Sequence, residues 1–439
     1  MMSGIRLVVA FMLLLGLAAC GGGGGDSSTG SSSSAATVTT PALTNFTTVT
    51  VDNGPAALSQ AGDGYLADNI AYVSVTLCIP GTTTCQTIDH VQLDTGSVGL
   101  RILNSALNSQ MQAALPQETD TNSNPVGECY TFVDGYVFGS VRRADFQIGG
   151  ETVDDMPLQL VGGSGQFATV PSECSSGGGA NLHTITDLGA NGILGIGVTA
   201  TDCGSYCTIA GGYSAAIYYD CPAAGCDAII ARAAATSAPF QQLPNPVAAM
   251  SVDNNGTILT LPTAPSGGEA SMTGTLYFGI GTQTNNKLGS ATVLTTTTSS
   301  SAAGAGFLSA VYGGRTLRDS FIDSGSNAYY FVDNSIPECS SADATGFYCP
   351  TSPLALDPRT TGQNDTSADA AFTLQNAQTL FATNDAVLPG VGANPDAFSD
   401  LTPYQSSFDF GLPFFFGRSV YTAIEGRTAG GATGPYVAY

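Results

Sequence analysis

The chain has no tryptophan, only two histidines, and 11 lysines and arginines among 439 residues. With a net charge of −23, it lacks the basic surface that nucleic-acid phosphates require. The histidines, His90 and His183, lie in no nucleophile motif, which argues against Ser-His-Asp or Cys-His chemistry. Charged residues make up just 10%, and beyond the first 20 residues no run is apolar enough for a membrane-spanning helix. What is abundant is glycine (55), proline (22), threonine, valine, tyrosine and phenylalanine. That mixture predicts an all-β chain with many turns. A few short helices are expected, the best candidate lying over 369–381.

The first residues form a short head with Arg6, an apolar run over 7–17, and Leu17-Ala18-Ala19-Cys20. The run is too short to span a bilayer and fits a secretory signal. Residues 21–45 are rich in Gly, Ser and Thr and read as a flexible tether. Setting Cys20 aside leaves ten cysteines, an even set that suggests disulfides in an exported protein. Cys78 and Cys85 could staple a hairpin, and Cys339 and Cys349 could close a short loop. Cys203, Cys207, Cys221 and Cys226 cluster with three pairings open, which leaves Cys129 and Cys174 for each other. A zinc site in that cluster is disfavoured, because its spacing is not C-x2-C. No metal and no cofactor are expected.

Two runs carry chemistry: Val91-Gln92-Leu93-Asp94-Thr95-Gly96-Ser97 and Ser320-Phe321-Ile322-Asp323-Ser324-Gly325-Ser326. Each brings an aspartate off an apolar, strand-like segment into a hydroxyl residue, a glycine and a serine. One Asp-Ser/Thr-Gly is usually a turn. From composition, chance gives about a tenth of one four-residue match, so two in this context point to a site. Paired carboxylates can share one proton and so provide an acid and a base together. A glycine motif follows each: Asn191-Gly192-Ile193-Leu194-Gly195 after Asp94, and Pro413-Phe414-Phe415-Phe416-Gly417 after Asp323. The expectation is two related lobes, 46–245 with a Cys-rich insertion over 201–230, and 246–439. Glycines 195 and 417 would let chain segments pass close to the aspartate loops. Segments 130–138 and 141–148 read as a hairpin, and 248–252 as a restarting strand.

These residues resemble the pepsin-like aspartic peptidases, in order over most of 65–425. The segment 72–94 resembles that family's opening hairpin. Gly274-Thr-Leu-Tyr-Phe-Gly resembles the strand into the second lobe. Phe415-Phe-Gly-Arg-Ser-Val-Tyr-Thr-Ala-Ile is similar to its last segment. The resemblance implies a bilobed all-β fold of two barrel-like lobes, with Asp94 and Asp323 as the catalytic pair. Thr95 and Ser324 would bond across to the opposite loop. Ser97 and Ser326 would contact the outer carboxylate oxygens, and Gly96 and Gly325 would expose backbone amides. Tyr130, Phe132 and Tyr136 are the candidates for a flap over the site. The family's Trp after the first motif is replaced here by Arg101.

The chain end Leu-Ala-Ala-Cys20 resembles a bacterial lipoprotein signal, and the whole chain resembles Gram-negative lipoproteins with a pepsin-like core. That implies cleavage before Cys20, diacylation of its thiol, and an outer-membrane location, since Gly21 follows. The expected protein is a lipid-anchored, monomeric aspartic endopeptidase acting on a peptide or protein substrate. The competing reading is a non-catalytic envelope-binding or structural protein on the same scaffold.

Overall fold

Strand follows strand along the chain because apolar and β-branched residues alternate with polar ones. Ala71–Cys78 buries Tyr72, Val73, Val75 and Leu77 while Ser74 faces out. The computed structural model describes residues 44–60, 67–120, 122–176, 179–203, 216–228, 242–301, 304–397 and 406–439. The signal, Cys20, nearly all of the tether, and Cys207 lie outside them. The described residues are mostly β with short helices, and belong to one compact unit. None of their helices is long and apolar enough to cross a membrane.

A sheet of 16 strands draws on both halves of the chain. The strand Phe46–Val51 sits between Met272–Phe278 and Ala71–Cys78, antiparallel to both. Val49 and Val51 are fully buried there. A second sheet of seven strands contains Arg315–Ile322 and Asp409–Phe410. The largest core cluster joins residues from both sheets, including Val49, Phe146 and Leu276 of the first and Leu317 and Phe410 of the second. Phe331, Phe408 and Phe410 stack in series, with centroids 4.7 and 4.3 Å apart.

Four disulfides occur among the described residues: Cys78–Cys85, Cys129–Cys174, Cys221–Cys226 and Cys339–Cys349. Cys203 is also disulfide-bonded. The first staples the hairpin between Ala71–Cys78 and Cys85–Asp94, whose ends pair at those cysteines.

Several local expectations are corrected. The hairpin strands are Val126–Thr131 and Gly135–Ile148, so the turn falls at Val133-Asp134, and Gly139-Ser140 continues a strand. Asp134-Gly135 supplies the tight-turn pair, four residues before the break expected between 138 and 141. Residues 248–252 do not restart a strand. Asn245 caps a helix over Pro246–Ala249, accepting from the Val247 N–H at 3.0 Å, and Pro246 fits the first helical turn. The expected helix over 369–381 shrinks to Ala377–Phe381, capped by Asn376. Phe372–Leu374 pairs as a strand with Leu354–Leu356. Asn376 is a better helix start than interior residue, so it splits the segment.

Candidate functional site

The strand Cys85–Asp94 delivers the first aspartate, and it lies parallel to Gly192–Ile196 with Asp94 opposite Gly195. A Cβ on Gly195 would stand 2.7 Å from the Val98 nitrogen and 2.8 Å from Ser97 Oγ, so glycine is needed for this approach. The second loop repeats the plan with a different partner. Arg315–Ile322 lies parallel to Asp409–Phe410, and the Asp323 N–H donates to Phe410 O at 3.1 Å. The glycine that passes behind this loop is therefore Gly411, whose Cβ would meet Ala328 O, and Ser326 O at 2.6 Å.

The expected role of Gly417 is thus corrected. Gly417 faces Thr263, with Thr263 Oγ1 2.8 Å from its Cβ position. Its φ of +76° is a conformation open mainly to glycine, used to turn into the strand Ser419–Ala423. The equivalent of Leu194-Gly195 is Phe410-Gly411. The signal was obscured because Asp409, a charged residue, stands where a buried apolar residue is expected.

The two aspartates meet, with their carboxyls within hydrogen-bonding reach of each other. Asp94 is 6% exposed and Asp323 half-buried. Both inner oxygens crowd one point: a Cβ on Gly325 would lie 2.7 Å from Asp94 Oδ1 and 3.1 Å from Asp323 Oδ1. Gly96 and Ser97 N–H donate to Asp94 Oδ1 at 2.7 and 3.0 Å, and the Ser97 hydroxyl donates to Oδ2. Gly325 N–H donates to Asp323 Oδ1 at 2.7 Å, and Ser326 Oγ to Oδ2 at 3.0 Å. Three donors thus reach Asp94 and two reach Asp323. Burial first, and then the Asp94 charge, push the Asp323 carboxyl well above the ordinary carboxylate range.

Hydroxyls lock the loops across the chain's two halves. Thr95 N–H donates to Ser324 Oγ at 3.1 Å and Ser324 N–H to Thr95 Oγ1 at 3.0 Å. The Ser324 hydroxyl donates to Leu93 O at 2.7 Å, and Gln92 Nε2 to Gly325 O at 2.9 Å. Asn69 adds a third tie, donating to Asn327 O and Leu388 O, both at 2.9 Å.

The three flap candidates separate. Tyr130 and Val137 pair on one face of the hairpin and pack with Leu103 and Leu243. Phe132 sits at the turn against Tyr130, with centroids 4.9 Å apart. Tyr136 faces the other side, among Phe138, Phe167 and the Cys129–Cys174 disulfide. At the hairpin tip, desolvation and the Asp94 charge raise the Asp134 carboxyl.

Arg101 is the residue whose importance composition hid. It is fully buried, with its guanidinium carbon 3.7 Å from the Tyr130 ring centroid. It donates to Glu128 Oε1 at 2.6 Å, Asp202 Oδ2 at 3.2 Å and Val98 O at 2.7 Å. Tyr218 OH also donates to Asp202, at 2.8 Å. Burial, then Glu128, drive the Asp202 carboxyl well above its ordinary range against the pull of Arg101. Arg101 thus joins the hairpin strand to the start of the Cys-rich segment.

His90 pairs with Asp52 at 3.3 Å, and Arg143 with Glu118 and Asp155 at 2.5 and 2.9 Å. A pocket of about 480 Å³ lined by Asn255, Ile280, Lys287 and Gly430 shares no residue with either aspartate loop. The described residues form a mostly β protein in which two aspartates are brought together by loops that bond to each other. The chain belongs to the family described as Protein of unknown function (DUF3443), which matches residues 41–439. A search of curated proteins found no match.

Proposed function

We propose that the protein is an aspartic endopeptidase with a pepsin-like, bilobed fold. The observation that carries this reading is the meeting of Asp94 and Asp323 at their inner oxygens, with donors on each carboxyl and reciprocal Thr95–Ser324 bonds. Asp94 serves as the base and takes a proton from a bound water whose oxygen attacks the scissile carbonyl carbon. Asp323 gives its proton to the carbonyl oxygen as that oxygen gains charge. The tetrahedral intermediate then collapses: the C–N bond breaks as the nitrogen takes the proton held by Asp94, a gem-diol hydroxyl returns a proton to Asp323, and acid and amine are released. The pair titrates as a unit.

Lipidation at Cys20 would hold the enzyme at the outer membrane as a monomer, on a tether that gives it reach to peptide or protein substrates. The experiment is cleavage of a diverse peptide mixture by wild type, Asp94→Asn and Asp323→Asn. A second reading, a binding protein on this scaffold, is favoured by Arg101 at the position of the peptidase family's Trp. Cleavage that requires both aspartates eliminates it.

A further inference from the structure

The Asp323 loop is held through its carbonyls as well as its hydroxyls. Gly325 O accepts from Gln92 Nε2 at 2.9 Å, Ser326 O from the Leu412 N–H at 2.7 Å, and Asn327 O from Asn69 Nδ2 at 2.9 Å. Two of these donors are side-chain amides from the other half of the chain. Asn69 is the more deeply committed. It is 1% exposed, and its Nδ2 also donates to Leu388 O at 2.9 Å. Its Oδ1 accepts from the Leu388 N–H at 2.7 Å, and its backbone N–H donates to Ala386 O at 2.8 Å. Asn327 is gripped at its side chain too, where Tyr330 OH donates to Oδ1 at 2.6 Å.

Asparagine meets every demand of position 69. Two carbonyls need two donors and the Leu388 N–H needs an acceptor, which fixes the orientation of the amide. An ionised aspartate has no donor, and glycine has no side chain. The backbone φ of +53° is one that glycine, asparagine and aspartate adopt most readily. We infer that Asn69 is a positioning residue for Asp323: its amide fixes the exit of the Asp323 loop against Leu388 and so sets where Asp323 meets Asp94. The lever is short. Asn327 is four residues after Asp323, whose own N–H is held by Phe410 O at 3.1 Å. Release at Asn327 is therefore taken up by Ser324, Gly325 and Ser326. The effect on rate rests on the acid–base reading of the pair; the effect on the loop does not.

The first test needs no turnover. Amide hydrogen exchange of the full chain compares wild type with Asn69→Gly, which keeps the backbone conformation and removes the amide. Exchange is expected to be at least about tenfold faster at Ser324, Gly325 and Leu388, with the strand Gly256–Thr260 unchanged. A change at Leu388 alone, or an equal change in Gly256–Thr260, overturns the inference whether or not the protein cleaves peptides. The second test is kinetic. Asn69→Gly is expected to lower kcat about ten- to a hundredfold with KM little changed, the size of effect that a misplacement of about 1 Å has. Asn69→Asp keeps the shape but, as an anion, faces two carbonyl oxygens. Its kcat relative to wild type at the same pH should be lowest near about pH 7 and rise toward about pH 4, as the acid regains a donor. The neighbouring Asp68 carboxyl, raised by burial to about 6, titrates in every form, so the ratio to wild type is what is read. A folded Asn69→Gly with wild-type kcat, or a flat Asn69→Asp ratio, refutes the positioning role. Folding is checked by the thermal transition, and if Asn69→Gly does not fold, the isosteric Asn69→Asp at about pH 7 carries the exchange test as well. If the wild type cleaves nothing, the peptidase reading fails, and the exchange result alone decides whether Asn69 holds the Asp323 loop.

Discussion

The Thr95 hydroxyl accepts from the Ser324 N–H at 3.0 Å, and the Ser324 hydroxyl accepts from the Thr95 N–H at 3.1 Å. These two residues lie 229 positions apart, and the bonds are buried. Each loop therefore satisfies the other's backbone, and neither holds its geometry alone. Ser324→Ala strands the Thr95 N–H and removes the donor to Leu93 O. The expected loss is about 2–4 kcal/mol, from two buried polar groups left unmade. Urea unfolding of wild type and variant measures it.

Arg101 offers a second test. Arg101→Leu leaves Glu128 and Asp202 buried without their cation and should cost about 3–5 kcal/mol. Asp202→Asn keeps the shape and removes one of the two acids competing for a single arginine. It should be neutral or stabilising at neutral pH. The Asp202 carboxyl is raised on folding, so the folded state holds a proton the unfolded chain has lost. Stability from this group is present at low pH and is lost as pH rises above about 4 toward the folded value. Thermal melts across that range should slope less in Asp202→Asn than in wild type.

Asp68 gives the same sign with a narrower window. Burial raises its carboxyl from 3.8 to about 6. Asp68→Asn should therefore raise the melting temperature at about pH 7 and change little at about pH 2.5, well below the unfolded value of 3.8, where both states hold the proton. Equal effects at both pH values would show that the substitution acts through packing.

The Cys129–Cys174 bond ties the hairpin strand Val126–Thr131 to the helix Ser172–Ser175 across a separation of 45 residues. Replacing both cysteines by alanine should cost about 2–4 kcal/mol, as expected for a crosslink closing a loop of this size. Denaturant unfolding of wild type and double variant under oxidising conditions measures it, and the difference between them should shrink under reducing conditions.

Much of the site was legible because its chemistry is local. Asp94-Thr95-Gly96-Ser97 and Asp323-Ser324-Gly325-Ser326 each close their own hydrogen-bonded turn, so residue type and order reveal them. Short-range disulfides were readable for the same reason. Gly411 was missed because the pattern sought two apolar residues before the glycine, and Asp409 breaks it. The Arg101–Glu128–Asp202 group was invisible because its members are spread over 101 residues and charged residues are ordinarily assigned to solvent. The helix expected over 369–381 failed because Asn376 and the pairing of Phe372–Leu374 overrode a weak local pattern.

The central claim is that Asp94 and Asp323 act together on a peptide bond. The most direct measurement incubates the lipid-free protein, Asp94→Asn and Asp323→Asn with a diverse peptide mixture between about pH 3 and about pH 7, read by mass spectrometry with and without a statine-type inhibitor. The account predicts cleavage by wild type in the acidic part of that range, blocked by the inhibitor and reduced at least about 10²–10⁴-fold in each variant. A folded wild type that cleaves nothing, or an Asp323→Asn variant that cleaves as well as wild type, would contradict it.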